Sequence, residues 1–179
     1  MIFGMTTHTF VHVVISLVGI VSGLVVLLGL LAANRLDGWT VLFLVTTVAT
    51  CLTGFGFPFV QLLPSHIVGI ITLVALTLAI FARYGHRLAG AWRWIYVLGA
   101  IVALYLNVFV LIVQAFMKAP GLKALAPTQS EPPFLVTQVV VLVIFILLGI
   151  VAALRFQRRL RSGRAQLPFA VNFGGKPCS

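Results

Sequence analysis

The chain has 179 residues, 61% of them hydrophobic and 8% charged, with 12 Lys and Arg against two carboxylates and a formal net charge of +10. A soluble domain carries about a quarter charged residues to solvate its surface, so this composition excludes one and calls for lipid as solvent. The basic residues sit at the ends of apolar runs, a placement that membrane topology explains and nucleic-acid binding does not.

In chain order, Met1 to Phe10 lacks the basic stretch of a secretory signal, and the apolar run after it is too long for one. The first span is therefore expected to be retained. Apolar runs then predict five spans, at roughly 10–33, 39–57, 65–82, 94–117 and 134–154. Each is close to the ~20 residues that cross a hydrocarbon core of about 30 Å. Residues 40–82 hold no charge, and only Gly54-Phe-Gly-Phe-Pro58 divides them. A re-entrant segment in place of one span is the alternative for that stretch.

The expected fold is all-α: a polytopic transmembrane bundle of five helices over residues 1–160, with a basic, loosely ordered tail at 161–179. Orientation follows from the cations of alternate segments. One side receives Arg35, Arg83, Arg87, Arg93, Arg155, Arg158, Arg159, Arg161, Arg164 and Lys176; the other receives only Lys118 and Lys123. Ten against two predicts that the first set is cytoplasmic, the N-terminus outside and the C-terminus inside, in a bacterial-type inner membrane. Arg155 to Arg164 is expected to continue the fifth span into the headgroup layer. Trp39, Trp92, Trp94 and Tyr96 read as an interfacial aromatic belt, and His86 as a headgroup contact among arginines.

The longest loop, Lys118 to Pro133, carries prolines at 120, 127, 132 and 133, and Leu122 to Ala126 within it reads as a short interfacial turn. Thr128 or Ser130 is expected to cap the fifth span, with Glu131 and two prolines in its first turn. Cys51 and Cys178 show no CxxC or Cys/His spacing, so neither a disulfide framework nor a thiolate metal site is indicated.

The histidines are the most informative polar residues. His8 and His12 share a helix face, and the same stripe continues through Ser16, Gly19 and Gly23. Gly19 and Gly23 form a G-x-x-x-G, so this face is expected to pack against another helix. His66 opens the third span on the same side, near Gln61. Gly99, Ala103, Asn107 and Gln114 line one face of the fourth span, with Asn107 near mid-membrane. Glu131 and Gln138 complete a polar set gathered at the outward half.

Three readings follow from that set. In the first, the polar residues only tie helices together or finish their ends. In the second, Asn107, Gln114, Glu131 and Gln138 line an outward-facing pocket of a transport-type protein. In the third, His8, His12 and His66 hold haem b or a transition metal. Enzymatic readings fail on the residues. Asp37 and Glu131 fall on opposite faces, and no G-x-S-x-G or phosphate-cradling glycine loop is present. The expected partners are the lipid bilayer and either a larger membrane complex or further copies of the chain. The sequence thus describes a small accessory or transport-type membrane protein, with a haem- or metal-binding redox protein as the alternative.

Overall fold

A computed structural model describes the backbone of residues 7–56 and 64–165, and the side chains of 7–56 and 67–156. Every regular element among them is helical. In order they are α1 (Thr7–Leu31), α2 (Asp37–Phe55), α3 (Pro64–Ile80), which runs on into a π turn (Phe81–Gly85), α4 (Trp92–Lys118), α5 (Pro120–Leu125) and α6 (Pro132–Ala165). Five of these helices are long and apolar enough to cross a membrane. The uncharged stretch resolves into two helices, α2 and α3, with Phe57 beyond the described part of the first.

One expected boundary moves. The π turn keeps the third helix going to Gly85, so Arg83 is a helical residue and not part of the loop after the span. At the other end, α6 continues to Ala165 through the basic run that begins at Arg155, the helical continuation that was expected. The short helix α5 stands where an interfacial turn was expected. Its Leu122 packs beneath Phe116, Ala126 and Phe134.

The termini show why the elements stop where they do. At the end of α1, the Asn34 N–H donates to Gly29 O at 2.8 Å and the Ala33 N–H to Leu30 O at 3.0 Å, with Ala33 at φ 54°. That is a Schellman motif with alanine at the position glycine usually fills. Removing the Cβ relieves the left-handed strain, and the added freedom of the unfolded chain returns part of that gain. Ala33→Gly is therefore expected to raise stability by about 0.5 kcal/mol, read as a higher thermal midpoint in detergent.

Packing is uneven along the bundle. The main core gathers Val26, Leu27 and Leu30 of α1, Phe43 and Leu44 of α2, Leu76 and Ala79 of α3, Tyr96 to Leu104 of α4, and Phe145, Ala152 and Phe156 of α6. These lie toward the end that carries the arginines. Toward the histidine end, α1 has no buried residue before Gly19, the first buried among the described side chains of α3 is Thr72, and beyond Leu104 only Phe116 of α4 is buried. The helices are close-packed at the basic end and looser at the histidine end.

Close approach rests on small residues. At Gly23 a Cβ would lie 2.6 Å from Leu104 Cδ1 and 2.8 Å from the Phe43 ring, and at Gly19 it would lie 3.3 Å from Thr46 Oγ1. The G-x-x-x-G face of α1 is thus turned toward α2 and α4. A second seam joins α3 to α4, where a Cβ on Gly99 would lie 2.8 Å from Ala75 O and 3.1 Å from Ala79 Cβ.

Candidate functional site

The polar residues that the sequence gathers at one end are held by different partners. His8 and His12 lie one turn apart on α1, and both turn toward the end of α2. His8 Nε2 would meet a Cβ on Gly56 at 2.9 Å, and His12 Cε1 would meet one on Gly54 at 3.6 Å, so the glycines make room for the rings. His12 Nδ1 stands 2.8 Å from Thr53 Oγ1. The Thr53 hydroxyl already donates to Ala49 O at 2.8 Å. His12 is therefore the donor at Nδ1, and its Nε2 carries the lone pair. The side chains of Gln61 and His66 lie outside the described residues. Among the described residues no group of three or more His, Cys, Asp or Glu forms a metal cluster. His8 and His12 are the members of the expected ligand set whose side chains are described.

Asn107 sits half-buried midway along α4 and donates from Nδ2 to Thr47 Oγ1 at 3.3 Å. Thr47 is fully buried and also faces Gly19, so α1, α2 and α4 meet at this level. Gln138 bridges α6 to α4 by donating to Phe109 O at 3.4 Å, while its Oε1 is buried without a partner. Gln114 is exposed on α4.

Glu131 reverses the capping role expected of its neighbours. The Thr128 and Ser130 side chains do not cap α6; Glu131 does so with its own carbonyl, which accepts from Phe134 and Leu135. Its carboxylate folds back to accept from the Thr128 hydroxyl at 2.8 Å, the Thr128 N–H at 3.1 Å and the Ser130 N–H at 3.1 Å. The two prolines that follow have no N–H to cap, which leaves the carboxylate available to the loop. Desolvation alone raises its pKa, but the donors of Thr128 and Ser130 outweigh that and hold it below the ordinary 4.5. A depressed folded-state pKa stabilises above the unfolded value and is lost as pH falls through the folded one. The order of this loop is therefore expected to weaken below pH 4.5, seen as faster hydrogen exchange at Thr128 and Ser130. Glu131→Gln should remove that pH step.

A polar cluster that the sequence reading did not single out lies at the basic end. Arg83 extends the buried stripe Thr72, Leu76, Ala79 of α3 by one turn, so its side chain points into the bundle and is only 10% exposed. One guanidinium nitrogen pairs with Asp37 at the start of α2. The other donates to the Tyr96 hydroxyl on α4 at 3.2 Å, and the Tyr96 ring centroid lies 5.3 Å from Cζ. Thr40 is within 3.5 Å of the same hydroxyl. Beside them is a cavity of about 10 Å³, lined by Asn34, Arg35, Thr40, Arg83, Tyr96 and Phe156 among others. That is close to the least space that holds one water.

One expectation changes here. Tyr96 is 1% exposed and belongs to the core, not to an interfacial belt, whereas Trp39 is 45% and Trp94 37% exposed. His86 stacks on Trp92, with ring centroids 3.9 Å apart and planes within 5°, and meets the edge of Phe81. Its ring packs on these aromatics while the residue itself stays exposed. The signal for Arg83 was its helical spacing from Thr72, Leu76 and Ala79, masked because a charge at the end of an apolar run reads as a boundary. No protein-family model, curated protein or solved structure matches the chain.

Proposed function

We propose that this chain is an integral membrane protein with five spans, of accessory or small transport type, seated in a bacterial-type inner membrane. In this reading the N-terminus and the histidine end face outward and the arginine-rich end lies in the cytoplasm. The observation that supports it best is the packing gradient. The bundle is tight around Arg83 and Tyr96, is still pinned at Asn107–Thr47, and loosens toward His8, His12 and Gln114. A bundle closed at one end and open at the other suits a partner or solute that approaches from outside.

Purification in a mild detergent, followed by native electrophoresis and solute flux in proteoliposomes, tests this. An accessory protein is expected to migrate with a larger complex and to leave vesicles sealed. Flux that Asn107→Leu abolishes would make transport the function. Monomeric migration together with sealed vesicles would contradict both.

The approach of His8 and His12 to one end of α2 favours a second reading, in which they hold haem b or a transition metal together with His66. A Soret band or stoichiometric metal that disappears in His12→Ala or His66→Ala would establish it, and colourless, metal-free protein would end it.

A further inference from the structure

The described helices leave an open apolar groove of about 420 Å³ between α2 and α3. One wall is the stripe Val41, Val45, Val48 and Leu52 of α2, and the other is Ile80 and Tyr84 at the end of α3. The two helices are drawn together at both ends of this groove. Phe55 lies against Gly69 at the histidine end, and Asp37 pairs with Arg83 at the basic end. Between these clamps Val41, Val45, Leu52 and Tyr84 are all about half exposed.

We propose that this groove holds one acyl chain of an anionic phospholipid of the cytoplasmic leaflet. Two features select that occupant. The first is length: Val41 to Leu52 spans eleven helical steps, or about 16 Å, close to half of a 30 Å hydrocarbon core. The groove is one leaflet deep, which fits a single chain entering from the basic end. The second is charge. That end gathers Arg35, Arg83, Arg87 and Arg93 against Asp37 alone, and Tyr84 stands at the groove's mouth with Arg83 Cζ 5.7 Å from its ring centroid. Arg83 is already paired with Asp37, so the exposed Arg87, three residues beyond Tyr84, is the arginine assigned to the phosphate. A basic rim on an apolar cleft at the cytoplasmic boundary is the general chemistry of bound anionic lipid.

The proposal rests on the five-span topology, and its test is free of sidedness so that the two can fail separately. Full-length protein solubilised from membranes containing phosphatidylglycerol and phosphatidylcholine is examined by native mass spectrometry. One retained phosphatidylglycerol per chain is expected, in clear excess over phosphatidylcholine. Val45→Trp, which fills the groove, should remove the retained lipid. Arg87→Gln should lower the preference roughly fivefold, the factor equivalent to about 1 kcal/mol per surface cation. If Val45→Trp does not fold, Val48→Ala with Leu52→Ala strips the wall without adding bulk and should weaken retention instead. Equal retention of both lipids, or retention unchanged in the wall variants, overturns the proposal. Neither result alters where the termini lie.

Discussion

Gly99→Val is expected to destabilise the bundle by about 3 kcal/mol, the upper end of what overpacking a close-packed interior costs. The reason is what its side chain would strike. The nearest atom to a Cβ at Gly99 is the backbone oxygen of Ala75, at 2.8 Å, and the next is Ala79 Cβ at 3.1 Å. Neither can rotate away, so α3 as a whole must move from α4. At Gly23 the collisions are with Leu104 Cδ1 and the Phe43 ring, of which the leucine can change rotamer. At Gly38 nothing lies within 4 Å. The order of cost for alanine is therefore Gly99, then Gly23, then Gly38. The last should be neutral or gain up to about 1 kcal/mol, since alanine is the better helix former. Thermal midpoints of the three variants in one detergent give the comparison. An equal loss at Gly99 and Gly38 would show that α3 and α4 do not meet this closely.

Arg83→Ala is expected to cost a similar amount, about 3 kcal/mol, because it removes a nearly buried cation that touches two other helices. Arg83 sits at 10% exposure between the carboxylate of Asp37 and the hydroxyl and ring of Tyr96, so it fixes the ends of α2, α3 and α4 together. Its partners should matter less. Asp37 is 73% exposed, and its half of the pair is screened by water. Asp37→Asn is therefore expected to cost about 1 kcal/mol, and Tyr96→Phe about the same for the hydrogen bond lost. The double variant Asp37→Asn with Arg83→Ala should be hardly worse than Arg83→Ala alone, since the carboxylate then has nothing to pair with. Additive losses in that cycle would mean that Asp37 and Arg83 act independently.

The five helices were legible because lipid demands long apolar runs, and their ends were legible because charges cannot enter them cheaply. The same rule misled at Arg83. Taken as a stop signal, it hid the periodicity that carries α3 through the π turn and turns the guanidinium inward. Tyr96 was misplaced for a related reason. A tyrosine near tryptophans resembles an interfacial belt, and only the geometry of α3 against α4 places its hydroxyl beside Arg83.

The small-residue seam between Ala75, Ala79, Gly99 and Ala103 was also present in the sequence, as a small-xxx-small pattern on each of two helices. Its α4 half, Gly99 and Ala103, was legible as one face of the fourth span; its α3 half, Ala75 and Ala79, was not. At the candidate site, the shared face of His8 and His12 could be read from their spacing. What spacing does not give is the partner. That Thr53 receives His12, that Thr47 receives Asn107, and that Gln138 reaches Phe109 O depends on which helices are neighbours. For Glu131 the sequence showed a carboxylate at a helix start but not that it would turn back to its own loop, because the missing N–H groups of Pro132 and Pro133 were counted as harmless and not as a cause.

The proposed topology has five spans, with the histidine end outside and the arginine-rich end in the cytoplasm. A reporter inserted after Pro58 tests it most directly, since the uncharged stretch is where a four-span or inverted arrangement would differ. With further reporters at Gly90 and at the C-terminus as references, protease or membrane-impermeant labelling of intact cells is expected to reach the Pro58 site and neither of the other two. A reporter at Pro58 that is protected from outside and active in the cytoplasm would contradict the account.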